Sequence, residues 1–223
     1  MEKYYVKIKS VEKVTHDVLQ VKTTRPPHYN FVSGQATEVA VNKEGWKEER
    51  RPFTFTSLPE EDFLEFTIKV YSSHNGVTCE IMKCRKDDEL ILHEVWGTIA
   101  YKGEGVFIAG GAGVTPFIAI FKQLRKLNQL GNNKLIFANK TREDIILNEY
   151  FKEILGPNFK NILSEETASN YCHGRISKEF LVKHIGTINQ LFYICGPEPM
   201  MEAVEEQLTS LGVNRDSVVK EQF

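Results

Sequence analysis

Val106-Phe107-Ile108-Ala109-Gly110-Gly111-Ala112-Gly113-Val114-Thr115-Pro116 reads as a buried strand running into a glycine turn and then a helix. Four apolar residues bounded by glycines suit a central strand of a parallel sheet, and the glycine cluster lets backbone N–H groups approach a phosphate with no Cβ in the way. Pro116 fits the first helical turn, where its missing N–H costs nothing, and Phe117, Ile120, Phe121 and Leu124 then repeat at helical spacing. A pyrophosphate at that helix start would meet unpaired donors and the positive end of the helix dipole. The spacing departs from the usual dinucleotide fingerprint, in which a longer interval separates the second and third glycines. Close packing without any ligand explains such a turn equally well, so these residues alone leave both readings open.

Outward from this stretch the texture of the chain differs on its two sides. From Gly105 onward strand and helix alternate: Leu135-Ile136-Phe137-Ala138 is a second strand, Ile145 to Leu155 reads helical, Leu191-Phe192-Tyr193-Ile194 is a third strand, and Pro197 to Leu211 is a helix stopped by Gly212. That order implies a doubly wound α/β sheet. Before it, Tyr4 to Ile8, Val18 to Lys22, Gln35 to Val41 and Leu64 to Val70 alternate with period two, separated by Pro26-Pro27, Ser33-Gly34, Asn42-Lys43-Glu44-Gly45 and Leu58-Pro59. Short strands at this spacing imply a β-barrel or sandwich-like sheet. The expected boundary is the Lys102-Gly103-Glu104-Gly105 turn, giving a β-barrel domain over 1–102 and an α/β domain over 103–223.

A chain of 223 residues can bury the cores of two such domains, and a formal net charge of −2 argues against a general nucleic-acid binder. The N-terminus, Met1-Glu2-Lys3-Tyr4-Tyr5-Val6, lacks a secretory core, and no apolar run approaches the ~20 residues of a membrane span, so the expected location is cytoplasmic. Cys79, Cys84, Cys172 and Cys195 do not fall at zinc or iron–sulfur spacing. The histidines, His16, His28, His74, His93, His173 and His184, are dispersed with no acid at metal spacing, and no metal is expected.

Arg51-Pro52-Phe53-Thr54-Phe55-Thr56-Ser57 is the candidate for a second ligand in the barrel. Alternation places Arg51 and Phe53 on one face and Thr54 on the other or toward a cleft. A guanidinium clamps a phosphate bidentately, a ring stacks on a heterocycle and a hydroxyl bonds a ring nitrogen, a set that suits a flavin nucleotide. A surface arginine, a core phenylalanine and a strand threonine are the competing reading.

Taken together in order, these motifs resemble the ferredoxin–NADP reductase family of flavoprotein electron transferases, over nearly the whole chain. Arg51-Pro52-Phe53-Thr54 resembles its flavin motif, and Ile68-Lys69-Val70-Tyr71 followed by Gly76-Val77-Thr78 resembles the strand and turn that receive the flavin pyrophosphate. Gly110-Gly111-Ala112-Gly113-Val114-Thr115-Pro116 is similar to the nicotinamide-nucleotide turn. Tyr193-Ile194-Cys195-Gly196-Pro197-Glu198-Pro199-Met200 is similar to the Cys-Gly-Pro-x-x-Met motif, and Glu221-Gln222-Phe223 to the Glu-x-aromatic ending. Two departures stand out. Clustered cysteines of an iron–sulfur domain are missing, from which the expectation is that electrons leave to a separate molecule, and Val95-Trp96-Gly97-Thr98-Ile99 replaces a Gly-Pro-x-Gly segment.

The resemblance implies FAD and NAD(P)H as cofactors, with electrons passing from the nicotinamide through FAD to a flavodoxin, ferredoxin, cytochrome or oxygenase component. Arg51, Val77 and Thr78 would hold the flavin pyrophosphate, Phe53 would pack the ring and Thr54 would hold its reactive nitrogen. Cys195 would position the nicotinamide, Glu221 would support charge or relay a proton, and Phe223 would cover the flavin; core packing and a solvated tail compete. Asn139 and Lys140 stand where such folds meet the adenosine ribose; Lys140 and Arg142 point to NADPH, whereas the run through Asp144-Ile145-Ile146-Leu147 resembles NADH-linked relatives. That choice stays open. A non-catalytic redox-sensing or scaffold subunit that keeps the fold is the alternative to an enzyme.

Overall fold

The computed structural model describes residues 2–72, 75–97 and 99–220. The first sheet contains β1 (Tyr4–Lys13), β2 (Val18–Thr24), β3 (Ala36–Val41), β4 (Arg51–Thr54), β5 (Phe63–Lys69) and, after the short helix α1 (Val77–Lys83), β6 (Glu89–Trp96). Its order is β4-β3-β6-β1-β2-β5, with antiparallel neighbours. The two outer strands meet through the Phe55↔Phe66 bridge and a Thr56 N–H to Glu65 carbonyl bond of 2.7 Å, which nearly closes the sheet into a barrel.

Strand β5 shows why the closure is oriented as it is. Leu64, Phe66 and Ile68 point into the barrel core with Phe55, Val39, Leu90 and Leu92, while the alternate residues Glu65, Thr67 and Lys69 lie on the outer face. Fully burying side chains of this size is worth about 1.5–3 kcal/mol each. Strand β6 is not anticipated from sequence because the charged run from Lys83 to Glu89 masks its start; Asp87, at φ +74°, makes the turn, and Leu90-Ile91-Leu92 follow fully buried.

The second sheet contains β7 (Gly105–Gly110), β8 (Lys134–Asn139), β9 (Phe159–Leu163), β10 (Cys172–His173), β11 (Leu191–Cys195) and β12 (Val218–Lys220). It is parallel throughout, in the order β10-β9-β8-β7-β11-β12. Helices α2 (Thr115–Lys126) and α3 (Asn148–Leu155) cover one face, α4 (Lys178–Ile185) and α5 (Glu198–Ser210) the other. Strand β7 feeds both layers: Phe107 and Ala109 pack with Phe117, Phe121 and Phe151, and Val106 and Ile108 with Leu181, Val204 and Leu208. The order reverses direction beside β7, so the carboxyl ends of β7 and β11 form the switch point at which open parallel sheets receive ligands.

The helix expected from Ile145 begins only at Asn148. Thr141 and Asp144 first close a capping box around a short 3-10 turn, and Leu147 takes a left-handed φ of +52°, which breaks any continuous helix from 145. Strands β9, β10 and β12 and helix α4 complete the domain without having been anticipated. Tyr193 ties the connection between the sheets to β11: its hydroxyl donates to the Gly103 carbonyl at 2.8 Å and accepts the Lys102 N–H at 2.9 Å.

Candidate active site

Between the two sheets lies a cleft of about 1380 Å³ whose walls come from both. Four consecutive residues of β4, Arg51, Pro52, Phe53 and Thr54, line it on the barrel side, as do Lys69, Gly76, Val77 and Thr78. Arg51 is exposed and its guanidinium donates to the Arg50 carbonyl at 2.6 Å, leaving further donors toward the cleft. Phe53 rests partly against the barrel core, which fixes its ring. Gly76 caps α1, so the N–H groups of Val77 and Thr78 head a helix with no carbonyl of an earlier turn to bond. Ile68 and Val70 do not line the cleft: alternation turns both side chains into the barrel core.

On the facing wall the glycines have different reasons to be glycine. Gly111 has a φ of +51° and a Cβ there would meet nothing within 4 Å, so its backbone faces open space. A Cβ on Gly110 would overlap the Met200 sulfur, and one on Gly113 the Cys195 carbonyl oxygen. Those two glycines therefore let the turn after β7 pack against Cys195-Gly196-Pro197 after β11. Thr115, Cys195, Gly196, Pro197 and Met200 all line the cleft; Pro116 does not, being buried in the first turn of α2.

Asn139, at the end of β8, lines the cleft while 8% exposed, and neither its amide nitrogen nor its amide oxygen has a partner among the described residues. A buried amide left open on both atoms has room for a polar partner, a water or a ligand group, in the cleft. Beside it Lys140 pairs with Glu165 at 3.0 Å, an acid that holds the ammonium above its ordinary range. Arg142 does not line the cleft; its Nε lies 2.9 Å from Glu166, whose other oxygen accepts the Arg142 N–H at 2.8 Å.

Several lining residues escape the sequence reading. Trp96, met in the sequence only as part of a departure from the family pattern, is 36% exposed inside the cleft, and Tyr71, the last residue of the Ile68-Lys69-Val70-Tyr71 motif, is 53% exposed there. Arg175 enters from the turn after β10, a strand too short to recognise. Thr67 and Asp144 also line it. His16 approaches Asp17 and Asp144 at 3.7 and 3.8 Å, a proximity invisible in sequence; the Lys69 ammonium reaches both carboxylates, at 2.7 and 3.7 Å, which makes this an ion-pair cluster. Glu221 and Phe223, like His74 and Thr98, lie outside the described residues.

The residues present fit an FAD held on the barrel wall and a nicotinamide nucleotide held on the other. The barrel wall offers a guanidinium, a ring and a helix start; the other wall offers an open glycine turn, an unpartnered amide and a sulfur-bearing strand end. An FAD-binding domain family matches residues 3–94, and the oxidoreductase NAD-binding domain family matches residues 107–206. One component of the Na(+)-translocating NADH-quinone reductase of Pseudomonas aeruginosa (strain UCBPP-PA14) is 28% identical over 198 residues, 78% of this chain and 48% of that protein. The NADH oxidoreductase HCR of Escherichia coli (strain K12) is 25% identical over 225 residues, 98% of this chain and 67% of that one. The chain thus spans about half the length of the first relative. A crystal structure of a ferredoxin NADP+ reductase from Neisseria gonorrhoeae with bound FAD and NADP superposes with a TM-score of 0.84 at 19% identity, covering 99% of this chain and 98% of that one. Among the described residues no helix is long and apolar enough to cross a membrane.

Proposed function

This chain belongs to the ferredoxin–NADP reductase family of FAD- and NAD-binding reductases, and we propose that it takes a hydride from a reduced nicotinamide nucleotide onto FAD and passes the electrons to a separate carrier. The observation that carries this is the single cleft in which Arg51-Pro52-Phe53-Thr54 faces the Gly110–Gly113 turn and Cys195-Gly196-Pro197. The barrel, taken as 1–102, holds one cofactor and the α/β domain, 103–223, the other. Bound FAD supplies the step between a two-electron donor and a carrier.

The chain's own residues position that chemistry. Arg51 clamps the flavin pyrophosphate with the start of α1, Phe53 fixes the ring, and the Thr54 hydroxyl holds the ring nitrogen that receives the hydride. Gly111 and Thr115 meet the pyrophosphate of the nicotinamide nucleotide, and Asn139 fills its open amide with the adenosine ribose. Cys195 and Met200 shape the nicotinamide end, the thiol positioning the ring without attacking it.

The nucleotide favoured is NADH. Lys140 and Arg142 would draw a 2′-phosphate, but each is matched by an acid, Glu165 or Glu166, so their fields cancel where the extra phosphate would sit. Both relatives named above carry NADH in their names. The carrier is a flavodoxin, a ferredoxin, a cytochrome or an oxygenase component.

The decisive experiment is spectroscopic. A purified yellow protein whose flavin absorbance bleaches anaerobically on adding NADH, and recovers on adding an electron acceptor, is the reductase. A protein that binds the nucleotide without bleaching would instead be a redox-sensing or scaffold subunit.

A further inference from the structure

Behind the cleft a chain of hydrogen bonds joins the two domains. The antiparallel Phe55↔Phe66 bridge sets Thr54 opposite Thr67 and Thr56 opposite Glu65, all on the outer face, because the two phenylalanines point into the barrel. Thr67 lines the cleft and is nearly buried, as are Thr56 and Glu65. Thr56 Oγ1 donates to Glu65 Oε1 at 2.9 Å and lies 3.2 Å from Thr67 Oγ1. From α2 of the other domain Lys122 Nζ donates to the same Glu65 oxygen at 2.8 Å and to the Thr56 carbonyl at 2.7 Å, and Lys22 Nζ stands 3.9 Å from the second Glu65 oxygen.

Counting protons fixes the direction of this chain. An ionised carboxylate flanked by two ammonium groups only accepts, and a threonine hydroxyl has one proton to give. The Thr56 proton goes to Glu65, so in the contact with Thr67 it is Thr67 that donates. The Thr67 oxygen then presents only lone pairs to the cleft.

We propose that Thr67 is a fixed hydrogen-bond acceptor at the reactive edge of the flavin, set by Lys122, Glu65 and Thr56, and that it receives the Thr54 proton when the flavin is reduced. The proposal rests on the FAD reading of the cleft. In the oxidised state the ring nitrogen facing Thr54 accepts, and the Thr54 hydroxyl donates to it. After hydride transfer that nitrogen carries hydrogen and donates, so Thr54 must accept and its own proton needs another acceptor away from bulk water. Its cross-strand neighbour Thr67 is that acceptor. No bond to hydrogen breaks in this turn: the Thr54 O–H rotates from the ring to Thr67. Thr67 is thus a positioning residue that favours the reduced flavin.

The test is the midpoint potential of the FAD-loaded protein, measured by dye equilibration, in the wild type, Thr67→Val and Thr67→Ser. Thr67→Val should keep stoichiometric FAD but lower the two-electron potential by about 30 mV, a tenfold loss in preference for the reduced form. Thr67→Ser, which keeps the acceptor, should restore it. Should Thr67→Val not fold, Glu65→Gln carries the same expectation, because a carboxamide can donate to Thr56 and release the direction of the chain. A bound, reducible flavin with an unmoved potential overturns the role of Thr67, as does a serine variant that behaves like valine. A wild-type protein that takes up no FAD overturns the reading of the cleft instead.

Discussion

Asp144 Oδ1 stands 3.7 Å from Lys69 Nζ, so the turn after β8 is tied to the last residue of β5 across the domain junction. The other Asp144 oxygen accepts from the Thr141 N–H at 2.9 Å and from its hydroxyl at 2.7 Å. One carboxylate therefore closes a local cap and bridges two domains.

That double role predicts a pH dependence. Burial pushes the Asp144 carboxyl up, but the Thr141 bonds together with Lys69 and His16 outweigh it and hold the group below its usual range. A lowered carboxylate stabilises the fold at pH above its unfolded value of about 3.9, and the contribution is lost as pH falls through the folded value. Asp144→Asn should lose about 1 kcal/mol at pH 7, the scale of a lost cap. Urea midpoints should show the gap between variant and wild type narrowing as pH falls below the unfolded value of about 3.9; a gap as wide in acid as at pH 7 would remove the carboxylate from the explanation.

Arg51→Ala should purify largely colourless. A charge-assisted hydrogen bond contributes about 1.5–3 kcal/mol, and the pyrophosphate loses its only guanidinium from β4. Full flavin occupancy at micromolar protein would contradict this, and release of FMN from the wild type would correct the cofactor.

Thr54→Ala should keep its flavin and reduce it more slowly, since the hydroxyl orients the reacting ring more than it anchors the cofactor. Stopped-flow reduction at the wild-type rate would exclude that role.

Gly113→Ala should destabilise by about 1–3 kcal/mol, because the new methyl group overlaps the Cys195 carbonyl oxygen and must displace the turn after β11. Nicotinamide-dependent reduction should fall with it, while flavin content stays. Wild-type stability and reduction rate together would show that the two turns are not in mutual contact.

The parts legible in the sequence are those with a strong local signature. Alternation in Leu64 to Val70 marked a barrel strand and the apolar run Val106 to Ala109 a central one, and the motifs at Arg51, Gly110 and Cys195 proved to line one cleft. Residues placed by long-range register were not legible. Thr67 reads as an ordinary strand threonine until the Phe55↔Phe66 bridge sets it beside Thr54, and Arg175 follows a strand of two residues, Cys172–His173. Asp144 was legible only as part of the run after β8; its capping of the short 3-10 turn is local, but its reach to Lys69 depends on a contact between domains that no local pattern encodes. Ile68, Val70 and Pro116 turn their side chains away from the cleft, since a motif marks a segment while alternation and burial decide which of its side chains face the cleft.

The choice of nucleotide turns on charges that sequence order separates. Lys140 and Arg142 follow β8, whereas Glu165 and Glu166 follow β9, and parallel pairing of those strands brings the two loops together. A 2′-phosphate approaching the end of β8 therefore meets two cations and two acids, and gains little over a free hydroxyl. The pairs are largely exposed, so each is worth only about 0.2–1 kcal/mol and either cation can turn to a ligand once its acid is gone. Replacing both acids, Glu165→Gln with Glu166→Gln, should lower the KM for NADPH about five- to tenfold at low salt while leaving that for NADH within about twofold. Binding of 2′-phospho-AMP, followed by calorimetry without any turnover, should tighten in parallel. The opposite pair of changes, Lys140→Glu with Arg142→Glu, should weaken NADPH far more than NADH. Equal effects on both nucleotides would show that these four side chains do not read the 2′-position, and the preference would then rest with Arg175, the remaining cation on that wall of the cleft among the described residues.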